Sequence, residues 1–449
     1  MLILASAAAE LGHELDYWMI APFVILLLCI AILPLVTPVW FEHLRNKAII
    51  AAIFGVPVVG YLALNFGHVG REQILHTTEE YISFIVLLLS LFAISGGIYL
   101  SGDVLGSPRN NVSFLAFGAV LANFVGTTGA AMVLVRPLLR ANSERVYRQH
   151  IFVFMIFTVA NIGGSLTPLG DPPLFLGFLR GVDFFWTLRL FPQWLMALVI
   201  VLTIFFLLDR YYYKKEPESL KRLDKEEYEP LRVHGKINIL FLGGVIASVL
   251  LSTPLMEIGE HFHFPFLREV IMLIMVALSL FVAPREPRQR NRFSWEPIGE
   301  VAIIFAGIFA AMIPALAILE ANGGELGMDK PWQYFWVTGA LSSFLDNAPT
   351  YLTFTATAQG LLGIDSTAGL MGTEIVKGIG FAPEDFLRAI SLGAVFMGAN
   401  SYIGNAPNFM VKSISEENGV HMPHFFAYMG YSAVVLLPVF ALVTVVFLL

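Results

Sequence analysis

Apolar stretches long enough to cross a bilayer recur along the chain, and this recurrence constrains the fold more than any other feature. A helix needs about 20 apolar residues to span the hydrocarbon core. Charged residues make up 14% of the chain, against roughly 25% in soluble domains. The sequence therefore predicts an all-α polytopic membrane protein embedded in the lipid bilayer. Eight ordinary spans are predicted at 17–39, 48–66, 81–100, 184–208, 237–255, 266–283, 298–319 and 425–449.

The charge balance and the cysteine content exclude several classes of partner and site. The net charge is −7, which provides no basic face for nucleic acid, so we expect no nucleic-acid partner. The single cysteine, Cys29, excludes disulfides within the chain and metal sites built from cysteine. Residues 1–14 lack a positively charged start and are expected to make a poor signal peptide.

Two halves of the chain share an order of interrupted stretches. A charged segment at 210–236 is predicted to be a cytoplasmic linker between a first repeat at 1–209 and a second at 237–449. ANFVGTTG places Gly126 opposite Asp346 of SFLDNAPT, and TPLGDPPLF places Asp171 opposite Asn405 of SYIGNAPNF. The sequence therefore predicts a duplicated architecture. The stretches interrupted by Gly, Pro and Asn lie at 112–139, 150–180, 332–358 and 386–415.

The distribution of positive charge predicts the topology. If the first interrupted stretch of each half is a re-entrant hairpin, each half crosses the membrane five times and the second repeat is inverted. With both termini outside, twenty of the 27 Lys and Arg residues then lie on the cytoplasmic side, as the positive-inside rule requires. We therefore predict two inverted repeats in an inner (plasma) membrane protein, each with five crossings, one re-entrant hairpin and one broken helix. Inverted repeats with broken helices are typical of secondary transporters.

The interrupted stretches are rich in the oxygen groups that bind small hard cations. Irregular backbone at membrane depth is tolerated only where it is buried in protein or lines a cavity. The candidate ion- or substrate-binding residues are Asn123, Thr127, Thr128, Asn161, Thr167 and Asp171 in the first half, and Asp346, Asn347, Thr350, Asn400, Ser401 and Asn405 in the second. The same stretches also contain Ser342, Ser343 and Asn408.

Asp171 and Asp346 are the two acids inside the predicted breaks. A carboxylate at bilayer depth costs at least about 2.5–3.5 kcal/mol, so it needs a partner or a proton. Burial disfavours the charged form of a carboxylate and a bound cation favours it, so one carboxylate can hold either H⁺ or Na⁺. Both residues are therefore Na⁺ candidates. Capping of a helix N-terminus is an alternative role that is compatible with ion binding.

Other charged groups are expected to lie outside the site. Glu79, Glu80 and Asp103 lie at predicted span ends and are expected to face water. His261 and His263 are interpreted as loop residues, because no cysteine lies near them. The remaining histidines are also placed in or beside loops. Because no pairing of His with Asp or Ser is predicted at membrane depth, we expect the protein not to be an enzyme and to need no cofactor.

Three motifs resemble the ion transporter superfamily. They are ANIGGSLTPLGDPP at 160–173, SSFLDNAPTYLTF at 342–354 and GANSYIGNAPN at 398–408. Within the superfamily they are most similar to NhaD-type sodium/proton antiporters and to the neighbouring putative citrate transporter group. The resemblance implies a homodimer in which the early spans of each half form a scaffold. The hairpins and broken helices would then form a moving transport domain.

The resemblance also assigns roles to individual residues. Asn161, Asp171, Asp346 and Asn405 match functional positions of NhaD-like proteins. This chain departs from that pattern at Gly126, because NhaD-like sequences have Asp-Asn where it has Gly-Thr. The motifs contain no lysine that could hold an anion, which favours cations.

Secondary sodium/proton antiport by alternating access is the leading functional hypothesis. Cation-coupled symport of citrate or a dicarboxylate is the alternative, and oxyanion efflux is a weaker third. A passive channel and an intramembrane enzyme are also considered, but paired broken helices favour alternating access. No Walker-type phosphate loop occurs in the sequence, so energy must come from an ion gradient or a partner subunit.

Overall fold

The computed structural model of the chain describes residues 11–226, 228–262 and 264–449, so residues 1–10, Glu227 and His263 lie outside the described part. Eight described helices are long and apolar enough to cross a membrane. The number is nine if Ile237–Leu250 and Ser252–Gly259, bent by 70° at their junction, form one span. The expectation of an all-α polytopic, multi-pass membrane protein is confirmed. The inverted relation of the repeats and their boundaries stay predictions.

The helices follow the predicted order of ordinary and interrupted segments. In the first half they are α1 (Ala21–Val36), α2 (Pro38–Glu42), α3 (Leu44–Asn65), α4 (Gly67–Ser95), α5 (Pro108–Arg140), α6 (Gln149–Thr158), α7 (Pro172–Leu179), α8 (Phe191–Lys215) and α9 (Glu218–Glu226). In the second half they are α10 (Ile237–Leu250), α11 (Ser252–His261), α12 (Leu267–Phe281), α13 (Glu286–Arg290), α14 (Glu296–Asn322), α15 (Pro331–Ser342), α16 (Asn347–Leu362), α17 (Pro383–Met397), α18 (Ala406–Glu417) and α19 (Phe425–Phe447).

The charged segment between the halves is more ordered than its composition predicts. Strand β1 (Tyr99–Asp103) follows α4, and β2 (Glu229–His234) pairs with it in antiparallel register, with Tyr99 opposite His234. Pairing satisfies backbone N–H and C=O groups that a free linker would leave to water. The C-terminal end of the 210–236 segment is therefore held against the protein by strand pairing, although most of the charged side chains of the segment are solvated.

The interrupted segments occupy the centre of the protein. In the apolar window of Gln149–Leu166, 94% of the residues are buried, and in that of Pro108–Arg140 the share is 72%. The corresponding share is only 28% in both Tyr17–Val36 and Leu44–Asn65. These two spans thus leave much of their apolar surface exposed, while the first hairpin and the first broken helix, which carry polar motifs, are enclosed by protein, as irregular backbone at membrane depth requires.

The α5 segment folds back on itself. Gly126 adopts a φ of 77°, a conformation that an L side chain rarely takes, and it interrupts the helix near its middle. Asn111 and Asn142, at opposite ends of the segment, exchange two side-chain hydrogen bonds of 2.9 Å. The two ends therefore lie side by side, which is the geometry expected of a re-entrant hairpin.

The two broken helices repeat one local geometry. In the first, a 3₁₀ turn at Ile162–Leu166 separates α6 from α7, and in the second a 3₁₀ turn at Gly398–Asn400 separates α17 from α18. A Cβ atom at Gly170 would lie 2.0 Å from the carbonyl oxygen of Gly164, and one at Gly404 would lie 2.6 Å from that of Gly398. Both close approaches join residues six apart at aligned positions, which supports the predicted duplication.

We expect Gly170→Ala to lower the thermal unfolding midpoint of the purified protein. The added methyl group has no room against the Gly164 carbonyl, and overpacking of this kind costs about 1–3 kcal/mol. Gly430→Ala is the matched control, because a Cβ atom there would meet nothing within 4 Å. Equal midpoints for the two variants in detergent, measured by tryptophan fluorescence, would contradict the close approach.

Candidate functional site

Asp171 lies at the turn that starts the second half of the first broken helix. Gly170 precedes it, and Pro172 and Pro173 begin α7 immediately after it. Its backbone is extended, with φ −145° and ψ 145°, and its side chain makes no capping hydrogen bond to its own helix. The carboxylate therefore points across the site, where it is 1% exposed. The N-terminal end of α7 favours negative charge at this place.

The Asp171 carboxylate contacts one side chain from each of the other three interrupted segments. Thr127 of the first hairpin donates its hydroxyl to Oδ1 at 2.8 Å. Asn405 of the second broken helix donates Nδ2 to the same oxygen at 3.1 Å. Asn347 of the second hairpin donates Nδ2 to Oδ2 at 2.5 Å. One buried carboxylate thus joins all four interrupted segments.

These four residues form two pairs of aligned positions. Thr127 directly follows Gly126 and Asn347 directly follows Asp346, the residues that the sequence alignment places opposite each other. Asp171 and Asn405 are the N-cap residues of α7 and α18, and both have extended backbone. The predicted duplication therefore corresponds to a shared site, because each half contributes one residue of each pair.

Asparagines extend this site between the two broken helices. Asn405 also donates Nδ2 to Oδ1 of Asn161 at 3.3 Å. Asn161 in turn donates to Oδ1 of Asn408 at 2.7 Å, and Asn408 donates to the carbonyl oxygen of Ser401 at 2.9 Å. Asn161 and Asn408 are fully buried. Amide side chains, which both donate and accept, thus hold the two unwound backbones together.

Asn123 and Thr167 support the first break from within its own half. Asn123 donates Nδ2 to the Gly163 carbonyl at 2.7 Å, and its Oδ1 accepts the Leu166 N–H at 2.8 Å. Thr167 donates its hydroxyl to the Asn123 carbonyl at 2.5 Å. These bonds satisfy backbone groups that the unwound turn leaves without helical partners. Both residues therefore brace the break, and neither is among the side chains that hydrogen-bond Asp171.

Asn400 and Ser401 play the matching part at the second break. Asn400 donates Nδ2 to the Ser343 hydroxyl at 2.9 Å, and Ser401 donates its hydroxyl to the Ser343 carbonyl at 2.5 Å. They connect the second broken helix to the tip of the second hairpin. Thr350 donates to the Asp346 carbonyl at 2.9 Å, one turn into α16. Thr128 is partly exposed and is not among the side chains that hydrogen-bond Asp171.

Asp346 is half-buried and caps a helix. It is the N-cap residue of α16, and its Oδ1 accepts the Ala348 N–H at 3.1 Å. Among the described contacts, its neighbour Asn347, rather than Asp346 itself, hydrogen-bonds Asp171. Of the two roles considered for Asp346, the capping role is directly visible, and it leaves the ion-binding role open as a proposal.

The site combines a buried carboxylate with neutral partners. In the described part of the chain, neither Asp171 nor Asp346 forms an ion pair with Lys, Arg or His. The side-chain oxygens of Asn347 and Asn400 are buried there without a hydrogen-bond partner. A buried carboxylate held only by neutral donors is stable when it takes up a proton or when a cation joins it. The surrounding amide, hydroxyl and carbonyl oxygens are the ligands that hard cations prefer.

The structure corrects the expectation that Glu80 faces water. Helix α4 starts at Gly67, well before the predicted span, so Glu80 lies within the helix and is 6% exposed. Arg180, which follows α7, donates Nε and Nη2 to its two carboxylate oxygens, each at 3.0 Å. The sequence did contain a signal for this ion pair. Arg180 stands alone at the end of an interrupted stretch, and a buried guanidinium requires a carboxylate partner.

A second buried network, centred on Asp209, was also not predicted from the sequence. Asp209, fully buried near the end of α8, forms an ion pair with Arg145, whose Nη2 lies 2.5 Å from Oδ1, and the same oxygen lies 2.9 Å from His150 Nε2. Asn111 adds a bond of 3.0 Å to the same carboxylate. His150 therefore lies in the protein interior rather than in a loop. The network anchors the two ends of the α5 hairpin to α8.

Comparison with known proteins supports the resemblance noted in the motifs. A search of curated proteins found no match to the chain. A family model described as putative citrate transport matches residues 12–448. The match covers nearly the whole sequence, including all four interrupted segments and both halves. This match is consistent with the resemblance of the motifs to the ion transporter superfamily, and the chain belongs to the putative citrate transport family.

Proposed function

We propose that the protein is a secondary active transporter that exchanges Na⁺ for H⁺ by alternating access, with Asp171 as the group that binds either ion. The observation that carries the proposal is the contact of this one buried carboxylate with the other three interrupted segments. Binding of Na⁺ or H⁺ at Asp171 would therefore affect all four interrupted segments together. Membership of a transport family supports transport rather than catalysis.

The exchange follows from the chemistry of a single carboxylate. Protonated Asp171 is neutral and can be buried at little cost, whereas ionised Asp171 needs a cation beside it. One carboxylate does not hold both ions tightly, so Na⁺ binding releases H⁺, and the reverse. In this proposal Asn347 and Asn405 orient the carboxylate, and the unpartnered Asn347 oxygen is placed to join the Na⁺ ligands. Asp346 is proposed as a second acidic group on the ion path.

The larger assembly is proposed on the same basis. The hairpins and broken helices would move as a transport domain against a scaffold of ordinary spans, in the manner of an elevator. We propose a homodimer in the plasma membrane, with both termini outside. Na⁺ and H⁺ are substrates in this scheme, and no cofactor is required. The strong burial of the first hairpin and first broken helix, relative to Tyr17–Val36 and Leu44–Asn65, supports this division.

We expect Asp171→Asn to abolish Na⁺-dependent dissipation of a pH gradient in everted vesicles. The amide cannot exchange a proton for a cation, so coupling is lost even though the shape is kept. Asp346→Asn is expected to slow exchange, if its second role is ion binding. Asp365→Asn is the matched control, because Asp365 is exposed. Unchanged exchange by Asp171→Asn, at wild-type expression, would refute the assignment of this residue.

We expect Thr127→Val to raise the half-saturating Na⁺ concentration by about tenfold. The ionised carboxylate loses one of its three donors, and a hydrogen bond to a charged group contributes about 1.5–3 kcal/mol. Protonated Asp171 loses less stabilisation than ionised Asp171 does, so H⁺ competes more effectively with Na⁺ for this carboxylate. Thr203→Val, on the exposed face of α8, removes a hydroxyl that donates only to the Val199 carbonyl, and it should leave the value unchanged. Parallel shifts in both variants would argue against a role for Thr127.

The second candidate function is cation-coupled symport of citrate or a dicarboxylate. The description of the family as putative citrate transport favours it specifically. In this case the N-terminal ends of α7 and α18 would face the carboxylate groups of the substrate, since helix N-termini favour anions. Asp171 would then bind the coupling cation.

We expect labelled citrate or succinate to accumulate in proteoliposomes with an inward Na⁺ gradient if symport is the function. Asp171→Asn should then abolish accumulation, whereas Asp365→Asn should not. Under the antiport proposal, neither anion accumulates and Na⁺ dissipates a pH gradient without any carboxylate present. Running both assays on the same preparation therefore separates the two functions.

A further inference from the structure

Four arginines lie near one another at one end of the protein, and two of them pack against the ring of Tyr99. The guanidinium carbon of Arg140, at the end of α5, lies 5.3 Å from the centroid of the Tyr99 ring, and that of Arg290, in α13, lies 5.5 Å away. Arg136, one turn before Arg140 on α5, lies near Tyr99, Arg140 and Arg292. We call Arg136, Arg140, Arg290 and Arg292 the arginine cluster. It brings the α5 hairpin next to the short segment that joins α12 to α14.

The arginine cluster carries more positive charge than its neighbours neutralise. Glu286 pairs with Arg290 at 2.6 Å, and Glu417 lies 4.0 Å from Arg292. All four side chains of these two pairs are substantially exposed, and exposed ion pairs contribute little. The Nε of Arg136 is buried with no hydrogen-bond partner in the described part of the chain. The cluster therefore offers guanidinium donors that no carboxylate of the described chain fully satisfies.

Exposed apolar residues place the arginine cluster at the membrane surface. Phe281 is 84% exposed and Val282 57% exposed at the end of α12, directly before the segment that carries Arg290. Trp295, 47% exposed, directly precedes α14, and tryptophan favours the membrane–water interface. Apolar side chains are thus placed to meet acyl chains, while the guanidinium groups lie where lipid phosphates are found.

We propose that the arginine cluster binds the phosphate group of an anionic phospholipid whose acyl chains lie along Phe281 and Val282. Arginine matches phosphate geometry, because its planar group donates two parallel hydrogen bonds. The same chemistry would suit free phosphate, but the adjacent lipid-facing surface favours a lipid headgroup. The site is separate from Asp171 and does not depend on the transported ion.

The test compares lipid binding to the purified full-length protein in a neutral detergent. Phosphatidylglycerol is titrated against phosphatidylcholine and followed by native mass spectrometry. Arg290 and Arg292 are exposed, so the double variant Arg290→Gln/Arg292→Gln should fold normally. It should bind phosphatidylglycerol more weakly, by roughly fivefold for each charge removed. Arg290→Lys/Arg292→Lys keeps both charges but loses the planar donors, so it should bind phosphatidylglycerol more tightly than the double Gln variant and more weakly than the wild type. Arg222→Gln, an exposed arginine of α9, is the matched control.

Several outcomes would overturn the proposal. Equal binding of the two lipids, or unchanged phosphatidylglycerol binding by the double Gln variant, would remove the lipid site. Displacement of the lipid by equimolar inorganic phosphate would reassign the site to a soluble anion. Asp171→Asn should bind phosphatidylglycerol as the wild type does. Failure of the transport assays therefore leaves this result unaffected, and the two proposals fail independently.

Discussion

The buried carboxylate of Asp171 is the interaction on which the organisation of the protein centre depends. It lies among apolar helices without a positively charged partner in the described chain, and its three hydrogen bonds come from neutral side chains on three different segments. Burying a charge in this way is costly unless a proton or a cation removes it. The enclosing spans, the unwound turns and the asparagines between them can be understood as the structure needed to keep this group dry and correctly oriented.

The two halves contribute unequal charges to equivalent places. The broken helices present Asp171 and Asn405, and the hairpin tips present Gly126 and Asp346. A second aspartate at position 405 would put two carboxylates within hydrogen-bonding distance, where they repel each other strongly. The amide instead donates to Asp171. Each half thus supplies one acid, but from different segments, so the two acids lie at inequivalent positions.

The sequence predicted the features that depend on local chemistry. Gly170, Gly404 and the neighbouring prolines marked the unwound turns, because these residues disfavour continuous helix, and scarce charge made Asp171 stand out. The pairing of Asp171 with Thr127 and Asn347 is a contact between segments distant in the chain, so no local pattern encodes it. All twelve candidate positions lie in the interrupted segments, but several of them, such as Asn123 and Asn400, brace the backbone. The Glu80–Arg180 pair was missed because the span containing Glu80 starts earlier than its hydropathy suggests.

Helix α7 has Asp171 at one end and Arg180 at the other, separated by eight helical residues, or about 12 Å. A helix this short is stiff, so a displacement of Asp171 along the helix axis also displaces Arg180. That displacement would strain the two hydrogen bonds between Arg180 and Glu80. Breaking a buried ion pair without replacement leaves two uncompensated charges, at a cost of about 3–5 kcal/mol. Small excursions of the helix are uphill. Helix α7 should therefore occupy a few discrete positions, in each of which Arg180 has a full set of hydrogen-bond partners.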